Sequence, residues 1–275
     1  MRVSASIVTY RSNIALFTAL SESLFCALKR ARSEFPLFAD LVVVINDTRD
    51  EDIGAIECAV EKIRCRAPDR VRIRVVKGQG NVGYGAGQNR ALETVDSDYH
   101  LILNPDVSMD ADALLEGLRY LEEHAEVAML VPQGFDPQNE YARLSKRHPS
   151  LLVLLLRALA VRSSDGILGR RVARYTYAGE LPCDAPKAIT LASGCFMLCR
   201  TDTLRKVNGF DERFFLYFED YDLSLRVKNY GHIVELPQAR ITHHGGHTAR
   251  RDVRRVAHFI RSGVRFFNRY GWRIV

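Results

Sequence analysis

The sequence predicts an α/β protein built on a mixed, mainly parallel sheet flanked by helices. β-Branched and apolar runs recur at residues 3–9, 41–45, 71–76 and 99–103, and stretches with helical periodicity separate them. Strands that alternate with helices pair in parallel, because each crossover helix returns the chain to the edge from which the next strand starts. At 275 residues and 47% hydrophobic composition, the chain is long enough to bury one large core.

The first strand begins almost at Met1, without the apolar core and small-residue cleavage site of a signal peptide, so a cytoplasmic location is expected. Residues 12–31 follow as a helix whose apolar face is Ile14, Leu16, Phe17, Leu20, Leu24 and Leu28. A second helix, 50–63, opens with Asp50, Glu51 and Asp52, the charge that a helix N-terminus favours. After the fourth strand, residues 109–124 repeat the helical pattern through Leu114, Leu115, Leu118 and Leu121. Regularity then weakens. Between 133 and 184 come a turn at 134–137, a basic stretch at 143–147 and a short apolar helix at 151–161, the kind of insertion that sets substrate selectivity. The last third starts with a buried strand at 189–198 interrupted by Gly194, where a small residue permits close approach to the backbone. A helix at 220–229 and strands at 232–236 and 239–243 close the core.

Composition narrows the function. Six cysteines without a CxxC pair read as buried, reduced thiols of a reducing compartment. The longest apolar run, 151–156, falls far short of the roughly 20 residues that span a bilayer, so no transmembrane helix is expected. A net charge of +6 and a pI near 9.0 admit nucleic acid, an anionic membrane face or a phosphorylated substrate, and the position of the charge decides among them. Residues 250–275 carry eight arginines and one aspartate, while Val253, Val256, Ala257, Ile260, Val264 and Phe267 recur at helical spacing. Such a basic amphipathic helix suits a membrane surface, and equally a helix packed on the core with a solvated arginine face. The expected organisation is a main domain at 1–248 and a basic helix at 249–275, with peripheral contact to the cytoplasmic face of a membrane and no nucleic-acid partner.

Four clusters can carry chemistry. Gly78-Gln79-Gly80-Asn81-Val82-Gly83 matches G-x-G-x-x-G, but follows the third strand, whereas the dinucleotide fingerprint sits in the first βα turn. A turn beside a bound nucleotide, or simply a loop, fits better. Asn104-Pro105-Asp106 ends the fourth strand, since Pro105 cannot donate to a ladder and disfavours helix at Asn104. Asp106 at a strand's carboxyl edge suits a divalent cation that keeps positions for phosphate oxygens, or else it caps the next turn. His243-His244-Gly245-Gly246-His247 offers imidazole ligands beside glycines, or surface histidines in a turn. In Phe218-Glu219-Asp220-Tyr221-Asp222, three carboxylates crowd against apolar neighbours at a helix start. Capping accounts for one of them. The others suit a general base whose pKa is raised by desolvation and by like charge.

In order, Ser6-Ile7-Val8-Thr9-Tyr10, Asn81-Val82-Gly83-Tyr84-Gly85-Ala86-Gly87-Gln88-Asn89, Leu103-Asn104-Pro105-Asp106-Val107, Ser193-Gly194-Cys195-Phe196, Gly209-Phe210-Asp211-Glu212, Phe218-Glu219-Asp220-Tyr221-Asp222 and His243-His244-Gly245-Gly246 resemble the family 2 glycosyltransferases of GT-A fold, and within them the rhamnosyltransferase-like group. The resemblance implies a nucleotide-sugar donor over the N-terminal sheet. Thr9, Tyr10 and either Asn46 or Asp47 would lie near base and ribose, and Asn81, Gly83 and Asn89 would line the nucleotide pocket. Asn104, Asp106 and Gly194 would complete the donor site. Asp106 would bind Mg²⁺ or Mn²⁺ in the position of the family's DxD motif, with His243 completing the cation site and His244 as its substitute. Asp220 would be the general base and Glu219 would help hold the acceptor. The Asn-Pro-Asp form, familiar in that group, implies dTDP-L-rhamnose as donor, and the resemblance implies a cell-surface glycan of lipopolysaccharide or O-antigen type, free or lipid-linked, as acceptor. The alternatives are a UDP- or GDP-sugar donor, or an NAD-dependent oxidoreductase that uses Gly78, Gly80 and Gly83.

Overall fold

The computed structural model describes residues 1–161, 166–245 and 253–275. In chain order its elements are β1 (Arg2–Thr9), α1 (Ile14–Ala31), β2 (Phe38–Ile45), α2 (Asp50–Arg64), β3 (Val71–Val76), α3 (Tyr84–Leu92), β4 (Tyr99–Leu103), β5 (Val107–Met109), α4 (Ala113–Glu123), β6 (Val127–Phe135), α5 (Leu151–Ala158) and α6 (Gly166–Tyr175). They continue as β7 (Lys187–Ala188), β8 (Phe196–Arg200), α7 (Thr201–Lys206), α8 (Glu219–Val227), β9 (His232–His243) and α9 (Val253–Tyr270). Helix starts follow local chemistry: Asn13 caps α1 by accepting from the amides of Ala15 and Leu16, and Ser150 caps α5 by accepting from Val153.

Among the described residues the strands form one sheet in the order β3-β2-β1-β4-β8-β6-β9-β5, with β7 beside β9. β3, β2, β1 and β4 run parallel, and β8 then pairs antiparallel with β4. The register sets Thr9 opposite Ile45, Ile7 opposite Leu103, and Leu103 opposite Phe196, so three carboxyl ends and the start of β8 share one edge. β9 brings His243 to that edge, opposite Val107 of β5. Open α/β sheets bind ligands at such an edge, where strand order reverses.

α1, α2 and α4 cover one sheet face, with Phe17, Leu24, Val60 and Leu118 packed against Leu41, Leu101 and Leu130. On the other face α7 and α8 bring Leu204, Leu223 and Val227 against Ile102 and Met129, and α3 brings Ala91 against Val8 and Val42. A separate aromatic cluster of Phe214, Phe218, Phe266 and Phe267 fastens α9 beside α8. Burying such a ring contributes on the order of 2–3 kcal/mol.

The alternating pattern read from the sequence is present, although that reading contained no β6, α6 or α7, and four further points differ. Residues 189–195 are not strand: β7 has two residues and β8 starts at Phe196, because the 189–195 stretch crosses to bridge Lys146 through Leu191. The two expected final strands are one, β9, which carries a register shift against β6 between Pro132 and Gln133. Cys26, Cys58 and Cys65 are exposed rather than buried, and all six thiols are free. Helix α9 is partly packed and partly exposed: Ser262, Gly263, Phe266 and Phe267 are buried, while Val253, Val256 and Ile260 face solvent. The expected 248/249 boundary lies outside the described residues, as do Gly246, His247, Arg250 and Arg251. No helix among the described residues is long and apolar enough to cross a membrane.

Candidate active site

Asp220 is the second residue of α8, and the backbone before that helix is bent sharply: Tyr217 and Phe218 both have left-handed φ, 69° and 64°. Such residues cost about 1–3 kcal/mol each and persist only where packing over-determines them, as the aromatic cluster does for Phe218. The bend seats the carboxylate against the backbone of Gly194, whose N–H donates to Asp220 Oδ2 at 3.3 Å, while the Tyr221 N–H donates to Oδ1 at 2.9 Å. Gly194 is also held by the Tyr84 hydroxyl, which donates to its carbonyl at 2.6 Å. Burial raises the Asp220 pKa to about 6 against these hydrogen bonds, which lower it. Glu219 is buried, its Oε2 has no hydrogen-bond partner, and burial plus the neighbouring Asp220 charge raises its pKa well above the usual carboxylate range. Asp222 points elsewhere. Fully buried, it accepts from Arg226 Nε at 2.8 Å, Arg269 Nη1 at 2.9 Å and the Tyr270 hydroxyl at 2.7 Å, tying α9 to α8.

The second half of the site is the β4–β5 corner. The Asn104 N–H donates to the Cys195 carbonyl at 3.0 Å, and the Asp106 carbonyl accepts from the His244 N–H at 2.8 Å. His243 Nε2 lies 3.5 Å from Asp106 Oδ1, a buried oxygen without a hydrogen-bond partner. His244 Nε2 is instead 2.9 Å from the Ser108 hydroxyl. Gly245 closes the corner: a Cβ there would overlap the Asp106 carboxylate. An unpartnered carboxylate oxygen beside an imidazole fits a divalent cation as two protein ligands, with no third His, Cys, Asp or Glu grouped with them among the described residues.

A cleft of about 450 Å³ joins the two halves, lined by Asp220, Tyr221, Ser193, His243 and His244 and by the cations Arg143, Lys146 and Arg157. Lys146 and Arg157 come from the irregular segment flagged in the sequence as selectivity-setting, but neither was singled out there. Nothing in sequence marks Lys146 as buried. It is, and burial lowers its pKa to about 7, with Arg157 and Arg143 adding to the fall. Below it Glu235, also buried, accepts from the Tyr141 hydroxyl at 2.8 Å and from Ser145, and burial raises its pKa.

The residues expected on the donor side form a frame around the carboxyl ends of β1 and β2. Thr9 donates to Asp47 Oδ2 at 3.3 Å, Asn46 Nδ2 donates to the Gly83 carbonyl at 2.8 Å, and Gln79 Nε2 donates to Asn46 Oδ1 at 3.1 Å. Asn81 Oδ1 accepts from the Gly83 N–H at 3.2 Å, and Gly83, with φ 93°, leaves no room for a Cβ against the Phe215 carbonyl. Tyr10 is exposed. Asn89 stands apart: its Nδ2 donates to the Phe210 carbonyl at 2.9 Å and to Glu212 at 3.0 Å, and its Oδ1 accepts from the Phe210 N–H at 2.8 Å. Its amide braces the 209–212 turn through these three hydrogen bonds. Gly78, Gly80 and Gly83 lie beyond β3, the edge strand of the sheet, not at a central first strand.

The model of Glycosyl transferase family 2 matches residues 7–205. The chain belongs to this family. It is 28% identical over 199 residues to the N-acetylglucosaminyl-diphospho-decaprenol L-rhamnosyltransferase of Mycobacterium tuberculosis, covering 66% of this chain and 61% of that protein. To Rhamnosyltransferase WbbL of Escherichia coli it is 28% identical over 179 residues, covering 62% and 64%. The chain thus spans under two thirds of the length of the curated relatives it matches. Among solved structures, the mannosyltransferase PcManGT from Pyrobaculum calidifontis, in complex with GDP-Man and Mn²⁺, superposes with a TM-score of 0.61 at 14% identity, covering 97% of this chain and 64% of that one. That likeness establishes the GT-A fold expected of a family 2 member. The family match ends at residue 205, before Asp220.

Proposed function

We propose that this chain is an inverting, metal-dependent glycosyltransferase that moves L-rhamnose from dTDP-L-rhamnose to a hydroxyl of a lipid-carried cell-surface glycan of lipopolysaccharide or O-antigen type, at the cytoplasmic face of a membrane. The observation that carries the reading is one cleft lined by both Asp220, a carboxyl with its pKa raised to about 6, and His243, which stands against Asp106. Two curated relatives that bear the name rhamnosyltransferase support the choice of sugar.

Above pH 6 Asp220 is ionised and accepts the acceptor hydroxyl's proton as that oxygen bonds to the anomeric carbon. The bond from that carbon to the donor's phosphate oxygen breaks in the same displacement, which inverts the centre. Glu219, buried beside Asp220 with its pKa raised by burial, would help hold the acceptor. Arg143 and Arg157 supply positive charge to the cleft, joined by Lys146 below about pH 7. Asp106 and His243 would hold Mg²⁺ or Mn²⁺, which when bound stabilises negative charge on the departing diphosphate as a Lewis acid. On the donor side, Thr9, Asp47, Asn46 and Gly83 shape the nucleotide cradle through the hydrogen bonds described, with Tyr10 at its rim. The exposed Val253, Val256 and Ile260 of α9, interleaved with arginines, suit contact with an anionic membrane surface.

A thermal-shift panel of dTDP-, UDP- and GDP-sugars, with and without Mn²⁺, tests donor, metal and class together. A ligand at 100 times its Kd stabilises by about 2.7 kcal/mol. dTDP-L-rhamnose with Mn²⁺ should give the largest shift; stabilisation by NAD and by no nucleotide sugar would sink the assignment.

A further inference from the structure

Residues 192–195, just before β8, form a strap between the two halves of the site. The Ala192 N–H donates to the Ser224 hydroxyl at 3.0 Å, and that hydroxyl donates to the Asp220 carbonyl at 2.7 Å. The Gly194 N–H donates to the Asp220 carboxylate, and the Cys195 carbonyl accepts from Asn104 in the β4–β5 corner. The remaining tie is the Tyr84 hydroxyl, which donates to the Gly194 carbonyl at 2.6 Å; among the described residues no backbone N–H holds that carbonyl. At 3.3 Å the Gly194–Asp220 bond lies past the usual N–H···O range of roughly 2.7–3.2 Å, so a small retreat of the strap breaks it.

Tyr84 is itself fixed. It begins α3, and its N–H donates to the Phe215 carbonyl at 3.1 Å. Its ring meets Phe210 edge to face, at 6.0 Å and 82°, and Phe210 is held at its N–H and its carbonyl by the Asn89 amide. A Cβ on Gly194 would stand 3.2 Å from Tyr84 Cε1 and 3.6 Å from Asp220 Cβ, so the glycine backbone fills the gap between the tyrosine ring and the aspartate. Burial raises the Tyr84 pKa well above its ordinary value, so the hydroxyl keeps its proton and remains a donor while Asp220 titrates.

We propose that Tyr84 is a positioning residue for Asp220: its hydroxyl pins the 192–195 strap so that the Gly194 N–H stays on the Asp220 carboxylate. Asn89 acts one step further back, by holding Phe210 against the tyrosine ring. The effect on turnover rests on the transferase reading above; the link from Tyr84 to the carboxylate does not.

The test removes one oxygen. Tyr84→Phe keeps the ring against Phe210 and the backbone on Phe215, and frees the strap. The Gly194 amide favours the ionised carboxylate, so its loss should raise the Asp220 pKa from about 6 by about half a unit to one unit. The other titratable groups facing Asp220 are Glu219 and Tyr221 of α8, Lys146 and Arg157 across the cleft, Tyr175 of α6 and Cys195 of the strap, and the substitution alters none of them. The full chain, labelled with ¹³Cγ-aspartate, is titrated by NMR from pH 4 to 8.5, with the Asp220 resonance identified by its absence in Asp220→Asn. Ser224→Ala, which unties Ala192 from α8, should move the same titration upward by less, and carries the test if Y84F does not fold. For a shift of one unit, kcat of Y84F at pH 6.5 should fall about threefold and recover toward wild type by pH 8.5, with KM for dTDP-L-rhamnose within about twofold. An Asp220 titration that stays in place or moves down in folded Y84F would overturn the proposal. A lower melting temperature with that titration unmoved would do the same, because the hydroxyl would then be a structural contact only. If the titration rises as stated while no nucleotide sugar stabilises wild type, the transferase reading fails and the role of Tyr84 stands.

Discussion

Replacing Asp220 by Asn should make the protein more stable and nearly inactive at once. The folded pKa of Asp220, about 6, exceeds its usual value of 3.8, so the native state holds a proton that the unfolded chain has released. Stability therefore falls as pH rises from about 4 to 6 and stays low above. Two pKa units correspond to about 3 kcal/mol of cost to the ionised carboxyl at pH 7.5. Asn removes that cost but has one acceptor oxygen, and so can serve either the Gly194 or the Tyr221 amide but not both. Loss of one such bond costs about 1 kcal/mol, which leaves a net gain of about 2 kcal/mol. For a chain of 275 residues that is a rise of roughly 3–4 °C in Tm. At pH 3.5, where both forms are neutral, the gain should vanish and the lost hydrogen bond should leave the variant slightly less stable. Removal of a general base should lower kcat by about 10²–10⁴ with donor affinity kept. Thermal melts at pH 3.5 and 7.5, together with a transfer assay, read both arms. A variant less stable than wild type at pH 7.5, or one that retains full turnover, would refute the assignment of Asp220 as a desolvated base.

Three further outcomes follow from the same geometry. Asp222→Ala leaves Arg226 and Arg269 without their buried partner and should cost about 3–5 kcal/mol in urea unfolding, with α9 opened to tryptic cleavage. Gly245→Ala drives a methyl into the Asp106 carboxylate and should abolish Mn²⁺-dependent stabilisation by a nucleotide sugar while leaving the melting temperature of the unliganded protein within about 2 °C. Lys146, with its pKa lowered from 10.5 to about 7, is held with fewer protons than in the unfolded chain across that interval, so wild-type stability should rise with pH from about 7 to 10. Lys146→Met should flatten that rise and be the more stable protein at pH 6.5, as urea unfolding at pH 6.5 and 9.5 would show.

Much of the sheet was legible because its strands are continuous apolar runs and its first helices carry clean apolar stripes, as Phe17, Leu20 and Leu24 do in α1. Short or irregular elements were not. β5 has three residues and β7 two, too few for periodicity to register, and β9 passes through Pro237, which reads as a break in sequence although the strand continues around a shifted register. At the site, residues in ordered motifs could be named beforehand, including Asp106, His243 and Asp220. Asn89 belongs to such a motif, yet only the distance to Phe210 reveals that its amide is committed to a turn. Lys146 and Glu235 carry no motif, and their importance comes from burial, which depends on contacts across the fold.

The crowded carboxylates at the start of α8 resolve by helix geometry. Successive residues on a helix are about 100° apart, so Asp220 and Asp222 must face nearly opposite ways. One side meets Gly194 and the cleft; the other meets Arg226, Arg269 and Tyr270. The left-handed pair Tyr217 and Phe218 fixes the rotation of that first turn, and Phe218 is itself gripped by Phe266 of α9 at 5.3 Å between ring centroids. The C-terminal helix therefore holds the backbone bend that aims Asp220, in addition to neutralising Asp222. Shortening the chain before Phe266 removes both supports together. The loss should appear as a displaced base, with turnover falling further than donor binding.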